Sequence, residues 1–148
     1  TYGWAILIIA IVLAVLFFLG VFSSSSFTGT VCVASSGFQC SNPILHAGNF
    51  VATIGQATGT NWNSGVFCFL PSGITMPTPT AVSCPVGTPD AAGAASIPTG
   101  FSASETFAGV TTGGVGTTIS GSIWAVYQIT SGGLIYTTQV ATVTAKAV

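Results

Sequence analysis

TYGWAILIIAIVLAVLFFLGVF, residues 1–22, decides how the rest of the chain is read. From Ala5 to Phe22 only Gly20 is not plainly apolar, and the run holds no charge, no Pro and no Asn. As one helix it would measure about 27 Å at roughly 1.5 Å per residue, close to the thickness of a bilayer core. Its apolar residues do not fall on a stripe. Ile6, Ile9, Leu13 and Leu16 take one side, while Leu7, Ile11, Val15 and Phe18 cover the rest. A helix that is apolar all round needs burial all round. The remaining sequence has too little helix to supply it, so the cover is expected from outside the chain.

Beyond Phe22 the composition changes. Ser23-Ser24-Ser25-Ser26 ends the apolar run, and Gly29 is a plausible helix stop. This places a hydrophobic helical segment at 1–28 and a globular head at 29–148. From Thr30 the pattern has period two, punctuated by Gly, Ser and Pro, which predicts strands. Expected strands are 30–34, 38–40, 49–57, 62–70, 81–84 at an edge, 104–111, 116–129 and 134–147, with a turn at Asn42-Pro43. Phe50, Ala52 and Ile54 should share one face. Val66, Cys68 and Leu70 should lie opposite Phe67 and Phe69, with both sides buried. Ser131-Gly132-Gly133 predicts a hairpin turn between the two longest strands. All but one of the seven prolines fall in 71–100, the least regular part. The expected fold is α+β: a long N-terminal hydrophobic α-helix followed by an all-β, immunoglobulin-like sandwich of about seven strands.

Charge is nearly absent. Only 2% of residues are charged, against roughly a quarter in ordinary soluble domains. They are Asp90, Glu105 and Lys146, beside a single histidine, His46. Without clustered Lys or Arg the chain is not expected to bind nucleic acid or an anionic lipid surface. No second run reaches membrane-spanning length, which excludes a polytopic membrane protein. Because few groups titrate, stability is expected to be almost indifferent to pH.

The four cysteines are Cys32, Cys40, Cys68 and Cys84. Their number is even and none forms a C-x-x-C pair, so disulfides are the preferred reading in an exported chain. The favoured pairing is the local one, Cys32 with Cys40 and Cys68 with Cys84. Four buried free thiols or a shared zinc are the alternatives.

No catalytic constellation emerges. The sole histidine has no neighbouring carboxylate in sequence, as nucleophilic catalysis would need. Asp90 and Glu105 could form a glycosidase pair but lack the polar, charged surroundings in sequence that tune such sites. The run GGVGTT (113–118) has no Lys and reads as a turn rather than a phosphate loop. The expectation is a non-enzyme with no cofactor and no metal. No N-x-S/T sequon is present, although the many Ser and Thr residues offer hydroxyls for O-linked glycans. The apolar run begins almost at residue 1 with no basic residue before it and no cleavage site after it, unlike a secretory signal. Either the chain is shortened at its start, or a leader is removed in front of Thr1.

The opening TYGWAILIIAIVLAVLFFLG (Thr1–Gly20) and the closing hairpin GSIWAVYQITSGGLIYTTQVATVTAKA (Gly121–Ala147) together resemble archaeal type IV pilins. The resemblance is architectural and covers the whole chain. It implies a precursor cut by a prepilin peptidase before Thr1, held in the membrane, and assembled by a pilus machinery into an extracellular homopolymer. Bacterial pilins carry Glu at the fifth mature position, where this chain has Ala5. Archaellin heads carry more charge, so an adhesion-type pilus is preferred over a motility filament. The helix residues then expected in the filament core are Tyr2, Trp4, Ile6, Ile9, Leu13, Leu16, Phe17, Phe18 and Phe22. The alternative is a surface protein anchored by one helix, with the head as a binding module.

Overall fold

The structure, a computed structural model, describes residues 1–19, 29–46, 48–90, 94–110 and 114–148. One helix, α1 (Gly3–Phe18), precedes eight strands among the described residues. These are β1 (Val31–Ala34), β2 (Phe38–His46), β3 (Asn49–Gln56), β4 (Trp62–Pro71), β5 (Ala95–Ile97), β6 (Phe101–Ala108), β7 (Thr118–Gln128) and β8 (Ile135–Lys146). They form a five-stranded sheet, β1-β8-β7-β4-β5, and a three-stranded sheet, β2-β3-β6. Every pairing within the two sheets is antiparallel.

This corrects the α+β expectation. Strands account for 51% of the structure, and the helix is short. An α+β layer requires a helix laid on a sheet. Here no α1 residue is buried, and none belongs to the core. The molecule is a β-rich domain with a 16-residue helix ahead of it. No helix among the described residues is long and apolar enough to cross a membrane. Residues 20–28, where the Ser-rich link and Phe22 lie, fall outside the described residues.

The sheets face each other like a sandwich, but the order is not that of an immunoglobulin domain. There the first two strands share a sheet. Here β1 and β2 lie in different sheets, and the Cys32–Cys40 disulfide joins them directly. The second disulfide is Cys68–Cys84, so both bridges follow the local pairing.

Alternation fills the space between the sheets. Phe50, Ala52 and Ile54 from β3 and Phe107 from β6 meet Phe67 and Phe69 of β4, Ile123 and Ala125 of β7, and Ala141 and Val143 of β8. Phe50, Phe69 and Phe107 form an aromatic triangle, with ring centroids 5.7, 6.1 and 6.3 Å apart. β7 approaches β4 closely here. A Cβ on Gly121 would lie 2.6 Å from the Leu70 carbonyl oxygen and 2.8 Å from Phe69 Cζ, which only glycine avoids.

A second, smaller cluster explains why β4 is buried on both faces. Val66, Cys68, Leu70 and Val126 are covered by Met76, Val82 and Cys84 of the proline-rich segment, with Trp124 and Ile135. The Cys68–Cys84 bridge pins that segment to the strand. The edge strand expected at 81–84 is therefore irregular cover, not a strand.

Two local expectations also change. Asn42-Pro43 does not end a strand; β2 continues to His46 through a register shift between Ser41 and Ile44, with Asn42 at φ 51°. β2 is an edge strand and Pro43 lies at its bulge, both settings in which a sheet tolerates Pro. β5 pairs with β4 only through Trp62 and Gly65, too little to leave an alternation signal. Gln56, the one buried polar residue among the described residues, ties the loop that follows β3 to β5. Its Nε2 donates to the carbonyl oxygens of Thr60 (2.8 Å) and Ile97 (3.3 Å), while its Oε1 accepts from Thr58 N–H and Oγ1.

Candidate functional site

The feature that asks for a partner is α1. Its sequence, GWAILIIAIVLAVLFF, has no Pro and no charge in its first or last turn. Tyr2 stands at the N-cap without a side-chain hydrogen bond, so no capping anchors the start. Several β-branched residues lower its intrinsic propensity. An isolated helix of this length is marginal in water, and packing has to hold it.

The apolar surface is continuous around the axis. Phe18 is 90% exposed and Leu13, among the least exposed, still 44%. Of the residues expected in the core of an assembly, Tyr2, Trp4, Ile6, Ile9, Leu13, Phe17 and Phe18 are exposed and Leu16 is half-buried. Phe22 lies outside the described residues. The structure also exposes Leu7, Ile8, Ile11, Val12 and Val15 to a similar degree. The exposed apolar surface therefore runs all round the helix and includes positions beyond those nine. Monomeric soluble proteins rarely expose contiguous apolar patches beyond a few hundred Å², and larger ones mark interaction sites.

The head receives the chain at one end of the sandwich. Thr30 Oγ1 donates to the Lys146 carbonyl at 3.3 Å and accepts the Lys146 N–H at 3.1 Å, fixing the start of β1 to the end of β8. The β7–β8 turn lies at the other end, closed by the Gly133 N–H on the Thr130 carbonyl, with Gly132 at φ 71°.

The titratable groups are scattered. His46 lies at the end of β2, with its Nδ1 3.0 Å from the Val148 carbonyl oxygen. Asp90 is exposed and bridges to Cys68 beside β4. Glu105 sits on β6 with its side chain on the inward face, in the same alternation as Phe107. Burial pushes its carboxyl above the ordinary carboxylate value. A cleft of about 320 Å³ between Pro71, Pro89, Val110 and Ile119 has no titratable side chain on its walls. Among the described residues no group of three His, Cys, Asp or Glu is placed to hold a metal.

Glu105 sets a pH dependence. A carboxyl raised in the folded state stabilises the fold below its unfolded value of about 4.3, and that contribution is lost as pH rises through the folded value. Stability is therefore expected to decline slightly from pH 3 to pH 7, the reverse of ordinary acid denaturation. Glu105→Gln should raise the urea midpoint at pH 7 and flatten the profile, measured at dilute protein. An unchanged profile would show that Glu105 is not desolvated.

No family model matches this chain, and no curated protein or solved structure matches it either.

Proposed function

We propose that this protein is the structural subunit of an extracellular filament of the type IV pilus kind. Copies of α1 bundle in the core, and the β-rich heads face outward. One observation carries the reading: a helix apolar on every side stands ahead of a head that already has its own core. Such a helix gains nothing from the head and everything from other apolar helices or lipid.

The energetics support polymer over solution. Each large apolar side chain left in water costs about 1.5–3 kcal/mol. Some ten such side chains per subunit outweigh an association cost of about 4–15 kcal/mol. Transfer from lipid to a helix bundle gains little, because lipid is as apolar as leucine. Extraction from the membrane is thus assigned to an energy-driven assembly machinery, acting on a precursor that a prepilin peptidase has processed. Gly3, Ala5, Ala10 and Ala14 give small sites where helices approach closely. Two disulfides suit an oxidising exterior. The near-uncharged head, with no catalytic constellation, suits a surface-contact role such as adhesion.

Electron microscopy of native material tests the proposal. Filaments with a helical repeat of this subunit, with α1 in the core, are expected. Dispersed single subunits, each with its helix in lipid or detergent, would favour the membrane-anchored binding module instead.

A further inference from the structure

Trp62, Tyr127 and Tyr136 lie in one file. Trp62 and Tyr127 stack with ring centroids 4.2 Å apart and 9° between their planes, and Tyr127 and Tyr136 follow at 5.5 Å and 27°. The file runs from core to surface. Trp62 is 2% exposed, Tyr127 is half-buried and Tyr136 is 41% exposed. The backbone sets this up. Tyr127 and Tyr136 are direct partners across β7 and β8, one pair before the strands end at their turn. Gly65 of β4 is the partner of Tyr127 on the other side, and a Cβ there would lie 2.9 Å from Trp62 Cε3. The missing side chain leaves the indole room to reach the phenol.

The chemistry of these rings sets the file apart from the packing around it. Tryptophan and tyrosine rings give up an electron far more readily than phenylalanine. Of the four Trp and Tyr residues after residue 28, three are in the file and only Trp124 stands outside it. The other rings against Trp62 are Phe38 at 6.0 Å and Phe67 at 6.2 Å. All four cysteines are in disulfides. The one methionine, Met76, covers the smaller cluster on the other face of β4. Among the described residues, Tyr127 is therefore the one ring neighbour able to refill an electron vacancy on Trp62.

We propose that Trp62, Tyr127 and Tyr136 form a relay that carries one-electron oxidation out of the core of the head and delivers it to Tyr136 at the surface. A one-electron oxidant takes an electron from the Trp62 indole and leaves a radical cation. Buried as it is, the indole N–H has little water to take its proton, so the vacancy waits for an electron. Tyr127 supplies it, releases its phenolic proton to water and becomes a neutral phenoxyl radical, while Trp62 is restored. Tyr136 then gives an electron to Tyr127 and a proton to solvent, and Tyr127 regains a proton. The balance is one electron to the oxidant, one proton to water and the radical on Tyr136. There a soluble thiol donates a hydrogen atom and restores the phenol. Without the relay, oxygen added to Trp62 would put a polar group into the core without a partner, which is costly. The inference concerns the head and does not rest on the filament reading.

Photo-oxidation of the full chain in detergent tests it. Light at the red edge of the tryptophan band, which tyrosine does not absorb, starts the reaction. A cobalt(III) ammine takes one electron irreversibly, a nitroso spin trap captures ring radicals, and peptide mass spectrometry locates the products. In wild type the trap is expected on Tyr136, with Trp62 intact. Trp62→Phe should lose the Tyr136 adduct and leave the products of Trp124 unchanged. Tyr127→Phe keeps a ring in the stack but cannot pass the electron. It should raise oxidised Trp62 severalfold and lose the Tyr136 adduct. Tyr136→Phe changes only an exposed hydroxyl and should move the adduct to Tyr127, which keeps the test open if Tyr127→Phe loosens the core. The proposal is overturned if the Tyr136 adduct persists in Trp62→Phe. It is equally overturned if Trp62 is no more oxidised in Tyr127→Phe than in wild type, or if Tyr136→Phe leaves Tyr127 unmodified.

Discussion

Leu13→Asp is expected to abolish filaments while leaving the head folded. Leu13 sits in the middle of α1, where every neighbouring position is apolar. In a bundle of such helices an aspartate loses the leucine's burial, about 1.5–3 kcal/mol. It also puts a carboxylate among apolar side chains with no cation to meet it, because α1 has none. An unpaired buried ion costs several kcal/mol even after relaxation. Together these remove roughly 5 kcal/mol or more per subunit contact, over about a thousandfold in association. Protonating the aspartate in acid recovers only part of this, since a neutral acid still lacks hydrogen-bond partners there. The head should not register the change, because no α1 residue joins either core cluster. Negative-stain microscopy should show no filaments, while circular dichroism shows the β spectrum and thermal midpoint of wild type. Normal filaments from this variant would remove α1 from the core.

Much of this was legible in the chain. The apolar run needs no tertiary information, because its meaning lies in having no polar side. The β7–β8 hairpin was legible because the alternation through Ile119, Ile123 and Ala125 is long and a Gly-rich turn follows. The face of Phe50, Ala52 and Ile54 was legible for the same reason, and all three are buried.

What failed was information that lives between segments. Asn42-Pro43 is a strong local turn signal, yet β3 holds β2 straight on either side of the bulge. The distribution of strands between two sheets cannot be read from alternation, which is why an immunoglobulin order was expected and not found. The α+β expectation fails because a 16-residue helix with no buried residue adds no layer to a domain that is otherwise all strand. α1 packs on neither sheet and adds nothing to the head's core. In sequence Glu105 reads only as one of two carboxylates. Its inward position follows from the phase of β6, and the strand proved to begin at Phe101, ahead of the expected start at Ser104.

Phe107→Ala is expected to do the opposite of Leu13→Asp, removing the head while sparing the helix. Phe107 is fully buried on β6 and touches rings from its own sheet, through Phe50, and from the facing sheet, through Phe69. The two sheets share no strand, so side chains of this kind join them on the side of β5 and β6, where no disulfide crosses. Truncating a buried phenylalanine costs about 3–5 kcal/mol, through lost transfer energy and the cavity left behind. That is a large part of the roughly 5–15 kcal/mol that holds a domain. Collapse into the cavity is limited, because β3 fixes the β6 backbone on one side and Gly121 already lets β7 press onto Phe69. The thermal midpoint should fall by roughly 10–20 °C. If the midpoint moved by less than about 3 °C, the aromatic triangle would not be what joins the sheets. If instead the head melted early while helix-driven association persisted, the chain would be shown to consist of two separately failing parts: a rod that needs its copies and a sandwich that needs only itself.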